Sequence, residues 1–226
     1  MIVRSERRIV PGPAGRIEVV LDWPQTPAPA GVAHICHPHP LYGGSLDNKV
    51  VSTLARVFSA LGWLAVRSNF RGVGATEGQH DEGRGELDDV MHLIDQVPLL
   101  EDVAPRLAPA APAALAGFSF GSFVAAWAAQ RLQQRGSGAR YLVLIGAAAG
   151  KWQMPPVGPQ TLVIHGERDE TILLADVFDW ALRSEVPVVV IPGADHFFHR
   201  RLPTLKQLVA RHLLGAEAQS QRDGPI

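Results

Sequence analysis

The sequence predicts an α/β domain with a mostly parallel sheet and helices on both faces. Apolar strand-like runs alternate with helix-like runs along most of the chain, which is the pattern of strands joined by crossover helices. The chain has 226 residues, 46% of them hydrophobic, which is enough for one large core. We expect a single domain over residues 1–214 and, over residues 215–226, a flexible tail of polar and breaker residues.

Eight segments have the apolar, β-prone composition of strands. They are Arg7–Val10, Ile17–Trp23, Val32–His37, Leu64–Asn69, Ala113–Phe118, Tyr141–Ala147, Thr161–His165 and Val188–Ile191. The first two are separated by a short Pro/Gly turn, which predicts a hairpin. Five helix-like segments separate or follow the later strands. They are Asn48–Leu61, Glu86–Val97, Ser119–Arg135, Leu173–Arg183 and Pro203–Leu214.

Composition excludes several classes of function. Lys plus Arg is 21 and Asp plus Glu is 22, with no long block of like charge, so the basic patch of a nucleic-acid binder is missing. No apolar run approaches the roughly 18 residues of a membrane span. The only cysteine, Cys36, is expected to be a buried hydrophobic residue. With no intramolecular disulfide and no secretory pattern at the start, we expect a cytoplasmic protein.

Residues Gly117–Gly121 form the pattern Gly-Phe-Ser-Phe-Gly between a strand-like and a helix-like run. This is the nucleophile-elbow pattern, in which a sharp strand–turn–helix junction exposes the serine hydroxyl. The flanking glycines allow strand and helix to pass closely. A serine needs a base and an oxyanion hole to become a nucleophile, so the pattern predicts a serine hydrolase with Ser119 as its nucleophile.

His196 is the predicted base, because it follows the last strand, where a loop can direct an imidazole over the sheet edge. His199 is the alternative base. Asp169, directly after another strand, is the predicted acid partner, and the order Ser, Asp, His is typical of this architecture. Weaker candidates for the acid are Glu167, Glu170 and Asp195, and Asp169 could instead be a turn aspartate that accepts from its own backbone.

Two backbone amides are expected to form the oxyanion hole. One is the amide of Phe120, the residue after the nucleophile. The other is expected from the loop after the third strand, where Pro38 and Pro40 have no N–H to donate. His39 is the first choice and Leu41 the second.

Several short motifs together give the chain a family resemblance. They are His37–Pro40, Gly43-Gly44, Asn48-Lys49, Asn69–Gly74, Gly117–Gly121, His165–Asp169 and Asp195–His199. They resemble the small lidless bacterial α/β-hydrolases near the dienelactone-hydrolase group, over about residues 5–214. The resemblance implies an eight-stranded α/β-hydrolase sheet with the second strand antiparallel, and a triad of Ser119, Asp169 and His196. Dienelactone hydrolases use a cysteine nucleophile, which argues against dienelactone as the substrate here.

Only the stretch from Ala147 to Gln160 is available where relatives insert a lid, so no cap domain is expected. Trp152 and Met154 in this stretch either form a wall of the substrate pocket or pack over the sheet edge. Phe118 and Phe197 flank the triad in sequence and are also candidates for substrate binding.

Other polar residues have structural interpretations. We expect Arg71 to form an ion pair, Glu86 to cap a helix, and His37 to hydrogen-bond backbone in the oxyanion loop. The histidines could suggest zinc, but the motif that starts at His37 lacks the Asp-His of a metallo-hydrolase, so no metal and no cofactor are expected.

The function predicted from the sequence is a carboxylesterase that cleaves small acyl esters through an acyl-enzyme on Ser119. The alternatives are a thioesterase or small-amide or peptide hydrolase with the same triad, and a hydrolase-fold binding protein without turnover. A small-molecule ester is the expected partner, with neither nucleic acid nor membrane, and the oligomeric state is not predicted.

Overall fold

The structure, a computed structural model, describes residues 4–222 and contains an eight-stranded sheet in the order β1-β2-β4-β3-β5-β6-β7-β8. The strands follow the predicted apolar runs, with β1 longer at both ends. They are β1 (Arg4–Gly12), β2 (Gly15–Trp23), β3 (Val32–Cys36), β4 (Leu64–Ser68), β5 (Ala113–Phe118), β6 (Tyr141–Ile145), β7 (Leu162–Gly166) and β8 (Val188–Ile191).

Five α-helices connect or follow these strands. They are α1 (Lys49–Ala60), α2 (Arg84–Gln96), α3 (Phe120–Gln134), α4 (Leu174–Ser184) and α5 (Leu202–Arg222). One apolar core lies between the sheet and α1 and α5, and another between the sheet and α2, α3 and α4. Both faces of the sheet are therefore covered, which explains why its central strands are buried along their whole length.

The strand pairing confirms the predicted topology. β1 and β2 form an antiparallel hairpin closed at Gly12 and Gly15, and β2 is also antiparallel to β4. All pairs from β4 to β8 are parallel. The carboxyl ends of the central strands therefore meet at one edge of the sheet, where an open α/β sheet binds ligands.

The last helix is longer than predicted. It continues through Gly215 to Arg222, so residues 215–222 are helical rather than part of a tail. One glycine costs a helix only about 1 kcal/mol, and the residues from Ala216 onward are mostly good helix formers. The remaining part of the predicted tail, residues 223–226, lies outside the described residues.

The segment between β6 and β7 forms turns and contains no helix, so this segment does not form a lid over the sheet edge. Within residues 4–222, no helix combines the length and the apolar character needed to cross a membrane.

A network of buried charges joins the hairpin to the rest of the sheet. Asp22 on β2 accepts from Nε and Nη2 of Arg67 on β4, at 2.6 and 3.2 Å. Arg67 also donates through Nη1 to the carbonyl of Leu46, at 2.9 Å. The Asp22 and Arg67 residues are 4% and 8% exposed, so each neutralises a charge that burial would otherwise penalise.

Candidate active site

Ser119 lies at the sharp junction between β5 and α3, with φ of 55° and ψ of −124°. A positive φ is rare for a residue with a Cβ and marks local strain. The junction is held by the Ser119 amide, which donates to Ile145 at 2.9 Å, and by the Ser122 hydroxyl, which donates to the Ser119 carbonyl at 2.6 Å. The strain is therefore supported by hydrogen bonds to the neighbouring strand and to the first turn of the helix.

Both glycines of the elbow pattern are required by close approach. A Cβ on Gly117 would lie 2.1 Å from the carbonyl oxygen of Gly121. A Cβ on Gly121 would lie 2.3 Å from the carbonyl oxygen of Cys36 on β3. Any side chain at either position would push the helix away from the sheet and move Ser119.

Three distant loops bring a hydroxyl, an imidazole and a carboxylate into one chain of hydrogen bonds. The distance from His196 Nε2 to Ser119 Oγ is 3.0 Å, and from His196 Nδ1 to Asp169 Oδ2 it is 2.6 Å. All three residues are less than 10% exposed. With Asp169 ionised, Nδ1 carries the proton and donates to the carboxylate. The lone pair of Nε2 then faces the serine hydroxyl, which is the orientation a general base requires.

Asp169 is at once the partner of His196 and a turn aspartate. Its Oδ1 accepts from the amides of Thr171 and Ile172, at 2.9 and 2.8 Å, while Oδ2 faces His196. Asp169 is therefore both the partner of His196 and a turn aspartate, so the two interpretations of the sequence are compatible. Because both oxygens have fixed donors, the carboxylate cannot rotate away from the imidazole.

His165 lies beneath this carboxylate and is fully buried. Its Nε2 donates to the carbonyl of Ile172 at 3.0 Å and lies 3.4 Å from Asp169 Oδ2. Burial lowers the pKa of His165 because it penalises the charged ring. A neutral His165 thus fixes the Asp169 loop without adding a second positive charge beside His196.

The alternative base and acids lie elsewhere. His199 is exposed and binds Asp195, with 2.7 Å between Nδ1 and Oδ2. Glu167 accepts from the Gly193 amide at 2.7 Å, and Glu170 is exposed at the mouth of the pocket. Asp169 and His196 are the acid and imidazole that reach Ser119 within the described residues.

The loop that precedes His39 is held rigidly by His37. The His37 ring donates through Nδ1 to the carbonyl of Pro38 at 2.6 Å and accepts at Nε2 from the Phe70 amide at 2.9 Å. Burial lowers the pKa of His37 to about 4, so the ring is neutral and can fill both roles. The expectation that His37 bonds backbone agrees with these contacts.

Two amides near Ser119 are left without protein acceptors. Phe120 supplies the first amide of α3, which has no partner within its helix. Among residues 4–222, the amide of His39 also has no protein acceptor, whereas the Leu41 amide donates to His39 Nδ1 at 3.3 Å. This favours His39 over Leu41 as the second donor.

A pocket of about 400 Å³ opens beside Ser119. Its lining combines an apolar wall with a few polar groups at the mouth. The lining residues are His39, Tyr42, Ser119, Phe120, Ala148, Lys151, Trp152, Glu170, Thr171 and Ile172. The volume lies at the lower end of the range for small-ligand sites, so the pocket suits a small group.

Trp152 forms much of the pocket wall. Its ring lies 4.9 Å from Phe120 and 5.7 Å from His39, both measured between ring centroids. It also packs 5.2 Å from Phe123 on α3. Trp152 therefore lines the pocket and packs over the sheet edge, so the two interpretations are compatible.

The structure places Phe118 and Met154 outside this pocket, which corrects their prediction as substrate-binding residues. Phe118 is fully buried on the face of β5 opposite α3, where its ring lies 5.0 Å from that of His196. Met154 is 9% exposed and packs in the core beneath α3 and α4. Phe197 is exposed but lines a different groove, and its ring contacts that of His196.

Sequence reasoning missed the support behind His39. The His39 ring stacks 4.8 Å from His80, whose Nδ1 lies 2.8 Å from Glu86 Oε1. Glu86 also accepts from the Gly83 amide at 2.8 Å, as expected of a capping residue. No sequence pattern marks His80, because the loop that carries it is irregular and meets His39 only in the folded chain.

Two further expectations agree with the contacts. Arg71 makes two hydrogen bonds to Asp89, at 2.8 and 2.9 Å, as a structural ion pair. Cys36 is 1% exposed, and burial raises its pKa to about 12, so the thiol is protonated and inert. Among residues 4–222, no three His, Cys, Asp or Glu side chains are arranged to share a metal ion.

Comparison with known proteins identifies the family. A crystal structure of XC6422 from Xanthomonas campestris, described as a member of the a/b serine hydrolases without lid, is 34% identical with a TM-score of 0.82. The match covers 94% of this chain and 95% of XC6422. This chain belongs to the lidless α/β serine hydrolases. The protein RP471 of Rickettsia prowazekii, named as uncharacterized, is 30% identical to this hydrolase over 90% of the chain and 86% of its own length.

Two weaker similarities are to a family model and to a more distant crystal structure. The family model of the thioesterase domain matches residues 65–160 of this hydrolase, which is less than half of the chain. Dienelactone hydrolase from Anabaena variabilis is 18% identical, with a TM-score of 0.70 over 94% of this chain and 98% of its own, and shares the fold. The resemblance noted in the sequence is therefore confirmed at the level of family and fold.

Proposed function

We propose that this hydrolase cleaves small acyl esters through an acyl-enzyme on Ser119. The observation that supports it most is the continuous relay from Asp169 through His196 to Ser119, which ends at the wall of an open pocket. A buried relay of this kind has no evident structural purpose at a strained serine that faces a cavity.

In this proposal His196 Nε2 takes the proton from Ser119 as Oγ attacks the acyl carbon. The amides of Phe120 and His39 stabilise the oxyanion that develops on the carbonyl oxygen. His196 then gives the proton to the leaving alcohol, and the bond from the acyl carbon to that alcohol breaks. A water molecule, activated by the same imidazole, attacks the acyl-enzyme and releases the acid.

Acyl groups of few carbons are the proposed substrates. The pocket of about 400 Å³ is bounded by Trp152, and the described residues form no lid that would cover a long chain. A series of nitrophenyl esters from acetate to decanoate is expected to show the highest kcat/KM at the short end. An optimum at ten carbons or more would contradict this.

Thioester hydrolysis is the second candidate, and the match to the thioesterase model over residues 65–160 supports it. The same relay serves both bonds, because the oxyanion and the proton transfer are alike. Comparing kcat/KM for the same acyl group on a nitrophenol and on a small thiol would rank the two. A small-amide substrate or a binding role without turnover are the remaining alternatives.

A fluorophosphonate probe tests the proposal directly, since it labels an activated serine. We expect labelling of the native protein and none of Ser119→Ala. Ser137→Ala is the matched control, because Ser137 is exposed beyond the end of α3 and should label normally. If a folded native sample is not labelled, the non-catalytic alternative is favoured.

A further inference from the structure

A second groove, of about 520 Å³, lies beside the loop that carries His196 and shares no lining residue with the pocket that contains Ser119. We call it the cationic groove and define it by Gly43, Asn48, Lys49, Phe197, Arg200 and Leu202. It is larger than the pocket, but none of the proposed catalytic side chains lines it.

The cationic groove adjoins the active site at two places. Tyr42 lines the pocket and Gly43, the next residue, lines the groove. Phe197 lines the groove, and its ring packs against that of His196 with 5.2 Å between centroids. A Cβ built on Gly43 would meet nothing within 4 Å, so no side chain closes the space above this residue. A ligand bound at Ser119 can therefore extend past His196 into the groove.

The charges of the groove are unbalanced. Asp47, which also lines the groove, is paired with Arg7 at 2.8 Å and with Arg67 at 3.4 Å. His199 is paired with Asp195. Within residues 4–222, Lys49 and Arg200 make no ion pair with a carboxylate. Both are exposed, so two cations face the groove without a counter-charge from the described residues.

The backbone at Lys49 adds positive charge to the groove. Lys49 is the first residue of α1, a helix of 12 residues whose N-terminus carries partial positive charge. Arg200 has a φ of 59°, a strained conformation for a residue with a Cβ. Strain of this kind persists where the surrounding structure holds it, and here it lies in the loop that also carries His196.

We propose that the cationic groove binds the leaving group, and that the preferred leaving group ends in an anionic phosphate or carboxylate. The inference rests on the proposed function. The carbonyl oxygen must lie between the amides of Phe120 and His39, so the acyl chain occupies the pocket beside Trp152. The leaving atom must face His196 Nε2, from which it receives the proton, and the rest of the leaving group continues towards Phe197 and the groove.

The pocket offers no comparable preference for an anion. Its two charged residues, Lys151 and Glu170, are of opposite sign and both lie at the exposed mouth. The reaction itself is unchanged. The Ser119 Oγ–acyl bond forms, the bond to the leaving oxygen or sulfur breaks, that atom takes the serine proton from His196, and one water then releases the acid.

Three thioesters of the same acetyl group test the inference. S-acetyl-coenzyme A has phosphates, S-acetylglutathione has carboxylates, and S-acetyl-N-acetylcysteamine has no charge. At low ionic strength we expect kcat/KM for at least one anionic substrate to exceed that of the neutral one by about tenfold. The difference should shrink in high salt, which screens exposed charges. The more favoured of the two anionic arms identifies phosphate or carboxylate.

The double variant Lys49→Gln/Arg200→Gln should reduce the ratio of kcat/KM between the anionic and the neutral thioester to about twofold or less. The double variant Lys206→Gln/Arg211→Gln removes the same charge from exposed positions on α5 and should keep the preference. Equal kcat/KM for all three thioesters, or a preference that survives loss of Lys49 and Arg200, would overturn the inference. Ser119-dependent hydrolysis of nitrophenyl acetate is measured in parallel, so failure of the proposed function itself is recognised separately.

Discussion

This hydrolase contains two buried polar networks. One ends at bonded groups inside the protein, and the other ends at a cavity. In the network of the hairpin, Asp22 and Arg67 satisfy one another and Arg67 also binds a backbone carbonyl. In the relay at the carboxyl edge of the sheet, Asp169 and His196 lead to a hydroxyl at the wall of a pocket. A closed network contributes to the structure, whereas a network that ends at an open cavity can carry out chemistry.

The largest effect is expected for Asp169→Asn. An amide cannot stabilise the imidazolium and favours the wrong tautomer, so kcat for nitrophenyl acetate should fall about 10⁴-fold. Asp195→Asn, which removes a carboxylate bound to the exposed His199, should leave kcat within about threefold. If Asp169→Asn and Asp195→Asn lower kcat by the same factor, the relay does not carry the reaction.

Arg67→Met should act on stability instead. It leaves Asp22 buried without a counter-charge, which costs about 3–5 kcal/mol in the free energy of unfolding. Urea denaturation measures the loss, and kcat of the folded fraction should be unchanged. Arg16→Met, which removes an exposed partner of Glu77, should leave the free energy of unfolding almost unchanged, because exposed ion pairs contribute little. A large fall in kcat for folded Arg67→Met would show that the closed network also serves the reaction.

Two buried neutral histidines, which lie outside both networks, make stability depend on pH. Burial lowers the pKa of His34 to about 3 and that of His37 to about 4. Only the unfolded chain therefore binds these protons near pH 6. The stability they support is complete above an unfolded pKa of about 6.5 and decreases as the pH falls towards the folded values.

Between pH 6 and 5, each of these two histidines should reduce the free energy of unfolding by about 1.4 kcal/mol per pH unit. Urea denaturation at several pH values gives the slope. His34→Leu removes a ring whose two nitrogens lack partners among the described residues, so its slope should be about 1.4 kcal/mol per unit shallower. An unchanged slope would mean that His34 is protonated in the folded state.

The smallest effect concerns the pocket. Trp152→Ala removes the ring that packs on Phe120 and His39, so the optimum of the nitrophenyl ester series should move to longer acyl chains. We expect about a tenfold change in the ratio of kcat/KM between hexanoate and acetate. Leu182→Ala, on the exposed face of α4, should leave that ratio unchanged. If Trp152→Ala leaves it unchanged as well, the ring does not limit the acyl chain.

Most of the fold follows from local patterns, because every predicted strand and helix is formed. The relay was also predictable in outline, since Ser119, Asp169 and His196 each follow a strand of a parallel sheet. The end of α5 was not predictable in this way. A single glycine among good helix formers is compatible both with the end of a helix and with its continuation. Residues 215–222 are therefore predicted as a tail from the sequence, but they are helical in the structure.

The aromatic residues show most clearly where local pattern is insufficient. Phe118 and Phe120 are both next to Ser119 in sequence. Phe118 points from the end of β5 into the core with α1 and α5, while Phe120 begins α3 and reaches the pocket. The elbow pattern predicts the strained turn at Ser119, but which of the two rings reaches a cavity depends on the elements that pack against each face of the sheet.

The sequence alone determined the order of strands and helices, the elbow serine, and the imidazole and carboxylate that lie in line with it, because each depends on composition or on position after a strand. Only the tertiary structure decided which amide is free, which aromatic rings line the pocket, and that Lys49 and Arg200 share a groove. Lys49 and Arg200, like His39 and Trp152, are more than a hundred residues apart in the chain. Their approach depends on how helices pack on the sheet, and packing is a property of the whole chain rather than of any segment.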